Sequence, residues 1–132
     1  MFNSTIPHIP DAELQVMRAV WSVSVPLSAK QIVEKIQEGI NPNWKTTTIR
    51  TLIDRLAKKG YLVVDQRSRE RFYSAAIGKQ TYLEEATKKF LLQHYNGSFF
   101  QLFALLEGHR LTLLTTEEFE QTRNILSKLD VK

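Results

Sequence analysis

Lys45, Thr46, Thr47, Thr48, Arg50, Thr51 and Arg55 place seven hydrogen-bonding or cationic side chains within eleven residues. Such a set suits recognition rather than catalysis. Short hydroxyls let a backbone approach a base edge closely, and an arginine at position 50 has the fork to grip a guanine edge or a phosphate. Catalytic constellations are missing. His8, His94 and His109 lie far apart, and none belongs to a His-Glu-x-x-His motif. Glu84-Glu85 and Glu117-Glu118-Glu120 read as solvated faces or caps of helices. There is no glycine-rich phosphate loop and no Gly-x-Ser-x-Gly elbow. No enzyme activity, metal or cofactor is expected.

The basic and hydroxyl residues need a scaffold, and the same segment supplies one. Ile49, Leu52, Ile53 and Leu56 recur at i, i+3, i+4 and i+7, which predicts an amphipathic helix over 45–60. Thr47, Arg50, Thr51, Asp54 and Lys58 fall on or near the opposite face. Thr46 or Thr47 can cap its start, Lys58 and Lys59 suit its negative end, and Gly60 stops it. The outer face lacks the glutamates usual on a solvated helix. On this segment alone, an ordinary basic surface helix remains open.

The following residues favour the recognition reading. Tyr61–Gln66 reads as a strand, Arg67-Ser68-Arg69-Glu70 as a polar turn and Arg71–Ser74 as the returning strand. Arg67, Arg69 and Arg71 then gather near a hairpin tip. A helix, a glycine and a hairpin with a basic tip form the pattern of a winged helix-turn-helix. Its helix enters the major groove of DNA and its wing touches the flank. Charge agrees. Residues 45–71 hold 8 Lys plus Arg against 3 Asp plus Glu, a net of +5, while residues 78–132 hold 7 of each. An anionic polymer draws affinity from such a patch by counterion release. A membrane surface would accept it too, but the long basic amphipathic helix of that role is missing.

The 132 residues make one ordinary domain or two small ones, and 42% hydrophobic content suffices for a core. No apolar run approaches a membrane span; the longest, Phe99–Leu106, is interrupted by Gln101. The start of the chain lacks a secretory pattern, and there is no cysteine, so a cytoplasmic protein without membrane insertion is expected.

Upstream, Leu14, Met17, Val20 and Trp21 predict a helix over 11–22, with Ile9 as its hydrophobic staple. Val25-Pro26-Leu27 reads as a short edge strand. Ser28 and Gln31 match a capping box that opens a second helix, with Ile32, Val33 and Ile36 inward, ending near Glu38-Gly39. Trp44 is expected beneath the start of the recognition helix. Both tryptophans read as core residues.

Downstream, a long helix is predicted over 79–95, broken by Asn96-Gly97. Ser98 caps a second, apolar nearly all round, and Thr115 and Glu118 form a capping box for a third. A short helix apolar on every side must be buried. About 55 residues offer little to bury it, so a second copy of the chain is expected to cover it, through Tyr82, Phe90, Leu91, Tyr95, Phe99, Leu102, Phe103, Leu106 and Phe119. Packing onto its own N-terminal domain is the alternative. The expected fold is mainly α with a small β-hairpin: a winged helix over 1–77 and a helical dimerisation domain over 78–132.

Several segments resemble the penicillinase and methicillin-resistance repressors: Thr48-Ile49-Arg50-Thr51-Leu52-Ile53, Arg55-Leu56 and Lys58-Lys59-Gly60 on the candidate recognition helix. Ala12-Glu13, Val16-Met17 and Trp21 resemble that family's first helix, Ser28–Val33 its second, Phe72-Tyr73-Ser74 its wing. Lys89-Phe90-Leu91, Tyr95 and Gly97 resemble its dimerisation segment. The resemblance implies a homodimeric repressor of β-lactam-resistance or related stress genes, on a palindromic operator with a TACA and TGTA dyad. It would place base contacts on Thr47, Thr48, Arg50 and Thr51, and backbone contacts on Arg55 and the wing arginines. Thr47 stands where well-known members carry lysine.

The resemblance also implies partnership with a membrane sensor-protease system. Antibiotic-responsive members are cleaved between an asparagine and a phenylalanine, but Leu105 and Leu106 occupy those positions here. Cleavage near that helix remains compatible with release of DNA. A copper-responsive branch uses a cysteine cluster that this chain lacks. The competing reading is a winged-helix protein-interaction module without sequence-specific DNA binding.

Overall fold

The computed structural model describes residues 8–67, 69–108 and 115–129. Ser68 and His109, both named in the sequence reading, lie outside them. Helices α1 (Asp11–Trp21), α2 (Ala29–Lys35) and α3 (Thr46–Lys59) are accompanied by strands β1 (Leu27–Ser28), β2 (Leu62–Arg67) and β3 (Glu70–Ala75). Helices α4 (Lys79–Tyr95), α5 (Phe99–Gly108) and α6 (Thr116–Ser127) follow. The strands form one antiparallel sheet in the order β1-β3-β2. The fold is the expected one, mainly helical with a small hairpin. The chain divides into two compact units, Met1–Lys89 and Phe90–Lys132.

The first unit has one core. Ile9, Val16, Met17, Ile32, Ile36, Ile49, Ile53 and Leu56 are buried at its centre. The apolar stripe of α3 faces inward as its spacing requires, and each such side chain stabilises the fold by roughly 1.5–3 kcal/mol relative to exposure. Trp21 and Trp44 pack against this core, half-buried. The Trp21 indole also donates to the Ile77 carbonyl at 2.9 Å.

Local motifs set the helix ends. The Ser28–Gln31 capping box forms in both directions, at 3.2 Å and 2.9 Å. At the end of α3, Gly60 takes φ +86°, the Gly60 amide donates to Ala57 and the Tyr61 amide to Leu56. This is a Schellman motif, and glycine carries its left-handed residue without a Cβ penalty.

Four features depart from expectation. Lys45, not Thr46 or Thr47, is the N-cap of α3, in extended backbone with no side-chain cap bond. The helix starts a residue early because the Lys45 carbonyl already accepts from the Ile49 amide at 3.1 Å. The edge strand is Leu27–Ser28 rather than 25–27, because Pro26 has no N–H for the ladder. Helix α2 ends at Lys35 and continues as a π-helical turn, Ile36–Ile40, in which the Asn41 amide reaches back to the Ile36 carbonyl at 2.8 Å. Tyr82, expected on the dimerisation face, is buried in the first unit's own core, 5.6 Å from Trp21 between ring centroids. Its hydroxyl accepts from the Ile9 amide at 3.4 Å, so it is not free for a partner.

In the second unit, Asn96 and Gly97 adopt left-handed φ of 52° and 80° and end α4. Ser98 caps α5 through the Gln101 amide at 3.1 Å. Thr115 and Glu118 form the expected capping box of α6. No described residue of this unit is buried. Phe90, Phe99, Phe103, Phe119 and Ile125 remain largely exposed, and Phe100 is 75% exposed. No described helix is long and apolar enough to cross a membrane.

Candidate nucleic-acid interface

Lys45, Thr46, Thr47, Thr48, Arg50, Thr51 and Arg55 are all exposed; Thr47, Thr48, Arg50, Thr51 and Arg55 lie off the core stripe of α3, and Lys45 and Thr46 stand at its entry. The four threonines are not equivalent. Thr46 accepts from Gln37 Nε2 at 3.4 Å, and the same amide nitrogen donates to the Trp44 carbonyl at 3.0 Å. Gln37 lies in the π-helical turn, so this turn clasps the entry to α3. Thr51 donates its hydroxyl to the Thr47 carbonyl at 2.9 Å. That bond uses the hydroxyl proton, which leaves Thr51 a methyl group and acceptor lone pairs for a ligand. The hydroxyls of Thr47 and Thr48 make no hydrogen bond among the described residues.

The C-terminal end of α3 is anchored from behind. Lys59 Nζ donates to both carboxylate oxygens of Glu13, at 2.8 Å and 2.9 Å. Glu13 is 3% exposed and sits in the first turn of α1, on the core side. Lys59 therefore braces α3 from behind and is not part of the outward cationic surface. The amphipathic pattern gave no sign of this pair, because a carboxylate in a first turn has an equally good role at the helix dipole.

The wing adds a second cationic element, with its arginines divided. β2 and β3 pair in register from Leu62↔Ala75 to Arg67↔Glu70. Residues directly opposite share a face, so Gln66 and Arg71 lie with Tyr73, and Arg67 lies with Asp65 and Phe72. Arg71 Nε donates to Gln66 Oε1 at 3.0 Å. Arg67 Nε is 2.7 Å from Asp65 Oδ2, and its guanidinium lies 5.5 Å from the Phe72 ring centroid. Arg67, expected in the same patch as Arg69 and Arg71, is thus turned away and partly neutralised. Strand alternation carries the signal: positions 67 and 71 fall on opposite faces once the hairpin loop is two residues long.

Between α3 and the wing runs an open groove of about 530 Å³, lined by Arg50, Asp54, Gln66, Arg69, Glu70, Arg71 and Tyr73, with Lys30 from the start of α2. Sequence reasoning missed Lys30, Gln66 and the positioning role of Gln37. Such a groove, with cations on both walls and short hydroxyls beside it, can follow a phosphate backbone while a helix face meets base edges.

Comparisons with known proteins agree with this geometry. Residues 9–128 match the family model described as penicillinase repressor. The chain is 34% identical over 128 residues to the methicillin resistance regulatory protein MecI of Staphylococcus aureus (strain N315), covering 97% of this chain and 99% of that protein. It is 33% identical over 93 residues to the penicillinase repressor of Bacillus licheniformis, covering 70% of each. Among solved structures, the DNA-binding domain of the repressor BlaI superposes with a TM-score of 0.50 at 31% identity, covering 61% of this chain and 94% of that domain. A winged helix with this exposed helix face, matched over nearly its whole length by repressors, belongs to the penicillinase repressor family.

Proposed function

We propose that this chain is a bacterial transcriptional repressor that binds a palindromic operator as a homodimer in the cytoplasm. It blocks transcription of β-lactam-resistance or related stress genes, and a proteolytic or other signal relieves it. The observation that carries the reading is the exposed row Thr47, Thr48, Arg50 and Thr51 beside a cationic groove shared with the wing. Helix-turn-helix dimers place two such helices in successive major grooves, so operator symmetry follows protein symmetry.

The second unit supports a homodimer. Phe90, Leu91, Tyr95, Phe99, Leu102, Phe103, Leu106 and Phe119 are at least partly exposed. Phe100, Ile125, Leu126 and Leu129 extend that apolar surface. So large an apolar surface calls for a partner, and a second copy covers it symmetrically. Dimerisation also raises affinity, since the second half-site is engaged at high effective concentration. A membrane sensor-protease is the proposed source of the releasing signal, with cleavage near Leu105 and Leu106.

An electrophoretic mobility shift tests this, using the full chain, its own promoter DNA and a random competitor at two salt concentrations. A discrete complex at dimer stoichiometry that survives competitor supports the repressor. Equal, salt-sensitive smearing on both duplexes defeats it and promotes the protein-interaction module.

A further inference from the structure

Asp54 is the one carboxylate on the outward face of α3. It follows Thr47 by two turns and Arg50 by one, so it belongs to the same outward row. It is exposed, and it lines the groove with Arg50, Arg71 and Lys30. Folding gives it no task. It lies mid-helix, away from both caps, and among the described residues it makes no hydrogen bond or ion pair. A bare carboxylate facing a polyanion is unfavourable unless a donor meets it. In the major groove the donors are the exocyclic amino groups of cytosine and adenine, whereas guanine and thymine present acceptors at the same depth.

We propose that Asp54 determines specificity by accepting a hydrogen bond from a cytosine amino group in each half-site, while its charge disfavours DNA that offers no donor there. The residue then acts as a discriminator: the correct sequence relieves the repulsion, and others do not. This rests on the reading that α3 enters the major groove. Of the two carboxylates that line the groove, Asp54 stands on the helix and Glu70 on the wing, so only Asp54 shares the face that meets base edges on this reading.

The test selects bound sequences from a randomised duplex pool, using the full chain as wild type, Asp54→Ala and Asp54→Asn. Wild type should favour cytosine about tenfold at one position of each half-site. Asp54→Ala should lose that preference alone and bind random DNA several-fold more tightly. Asp54→Asn should shift the preference to adenine, which an amide grips at N6 and N7. If the Asp54→Ala profile superimposes on that of wild type, the proposal fails even though the repressor reading stands. If wild type itself selects no sequence, the repressor reading has failed.

Discussion

Lys59 holds Glu13 in a two-pronged ion pair across 46 residues of chain, tying the last turn of α3 to the first turn of α1. The carboxylate is buried and the ammonium is half-exposed. Removing the lysine leaves a charge with no partner in the core, which costs more than the pair itself contributes. Lys59→Met should therefore destabilise the first unit by about 1–3 kcal/mol, allowing for solvent around the ammonium. Denaturant melts of Lys59→Met and of Glu13→Gln/Lys59→Met check this. The double variant should recover part of the loss, and a silent single variant would show that the pair carries no stability.

Arg50 stands on the outward face, clear of the core and without an ion pair among the described residues. Arg50→Ala should lower operator affinity by about 1–3 kcal/mol and leave random-DNA affinity nearly unchanged, as for one bidentate base contact. Equal losses on both DNAs would reassign it to a phosphate.

The divided wing predicts a difference between two arginines. Arg71 faces the groove, whereas Arg67 is turned to Asp65. Arg71→Ala should weaken binding to all sequences and reduce the salt slope by about one. Arg67→Ala should change the slope less. Salt titrations of both variants decide it, and identical slopes would show that the wing rearranges on DNA.

Phe103 projects 44% exposed from α5. On the proposed homodimer, Phe103→Glu should yield a monomer, because a charge cannot enter an apolar interface without a partner. Sedimentation at wild-type mass would place the interface elsewhere. The same variant should lose operator binding by far more than it loses random-DNA binding, since only the operator rewards two linked readers.

What the sequence disclosed was whatever is encoded within one turn of helix. Ser28 with Gln31, Thr115 with Glu118, and Gly60 each announce a helix end through neighbours three or four residues away, and the structure forms all three. The α3 stripe was equally legible, because its period matches the helix and its burial follows. Features that depend on distant chain were not. Glu13 could not be matched to Lys59 from spacing, and Tyr82 could not be assigned to its own core rather than to a partner's. An apolar residue on a helix announces that it will be covered, but not by what. The π-helical turn was hidden for another reason. It differs from an α-helix by one residue of hydrogen-bond register, which hydrophobic periodicity over five residues cannot resolve. On the outer surface of α3 and the wing, the exposure of the threonines and arginines was legible, but the commitments of Thr46, Thr51 and Arg67 to their neighbours were not.

The Schellman turn at Gly60 leaves only Gly60 and Tyr61 between the end of α3 and the start of β2, and both amides are tied back to the helix. There is no slack between the two. Helix and wing form a caliper whose jaws are joined by a short backbone hinge and by the shared core of Leu56, Leu62 and Tyr73. On DNA, such a caliper measures as well as reads. On the proposed binding mode, with α3 on base edges and the wing on the flanking backbone, the distance between the two contacts is preset, so one base pair inserted between them should disengage one jaw whatever the surrounding sequence.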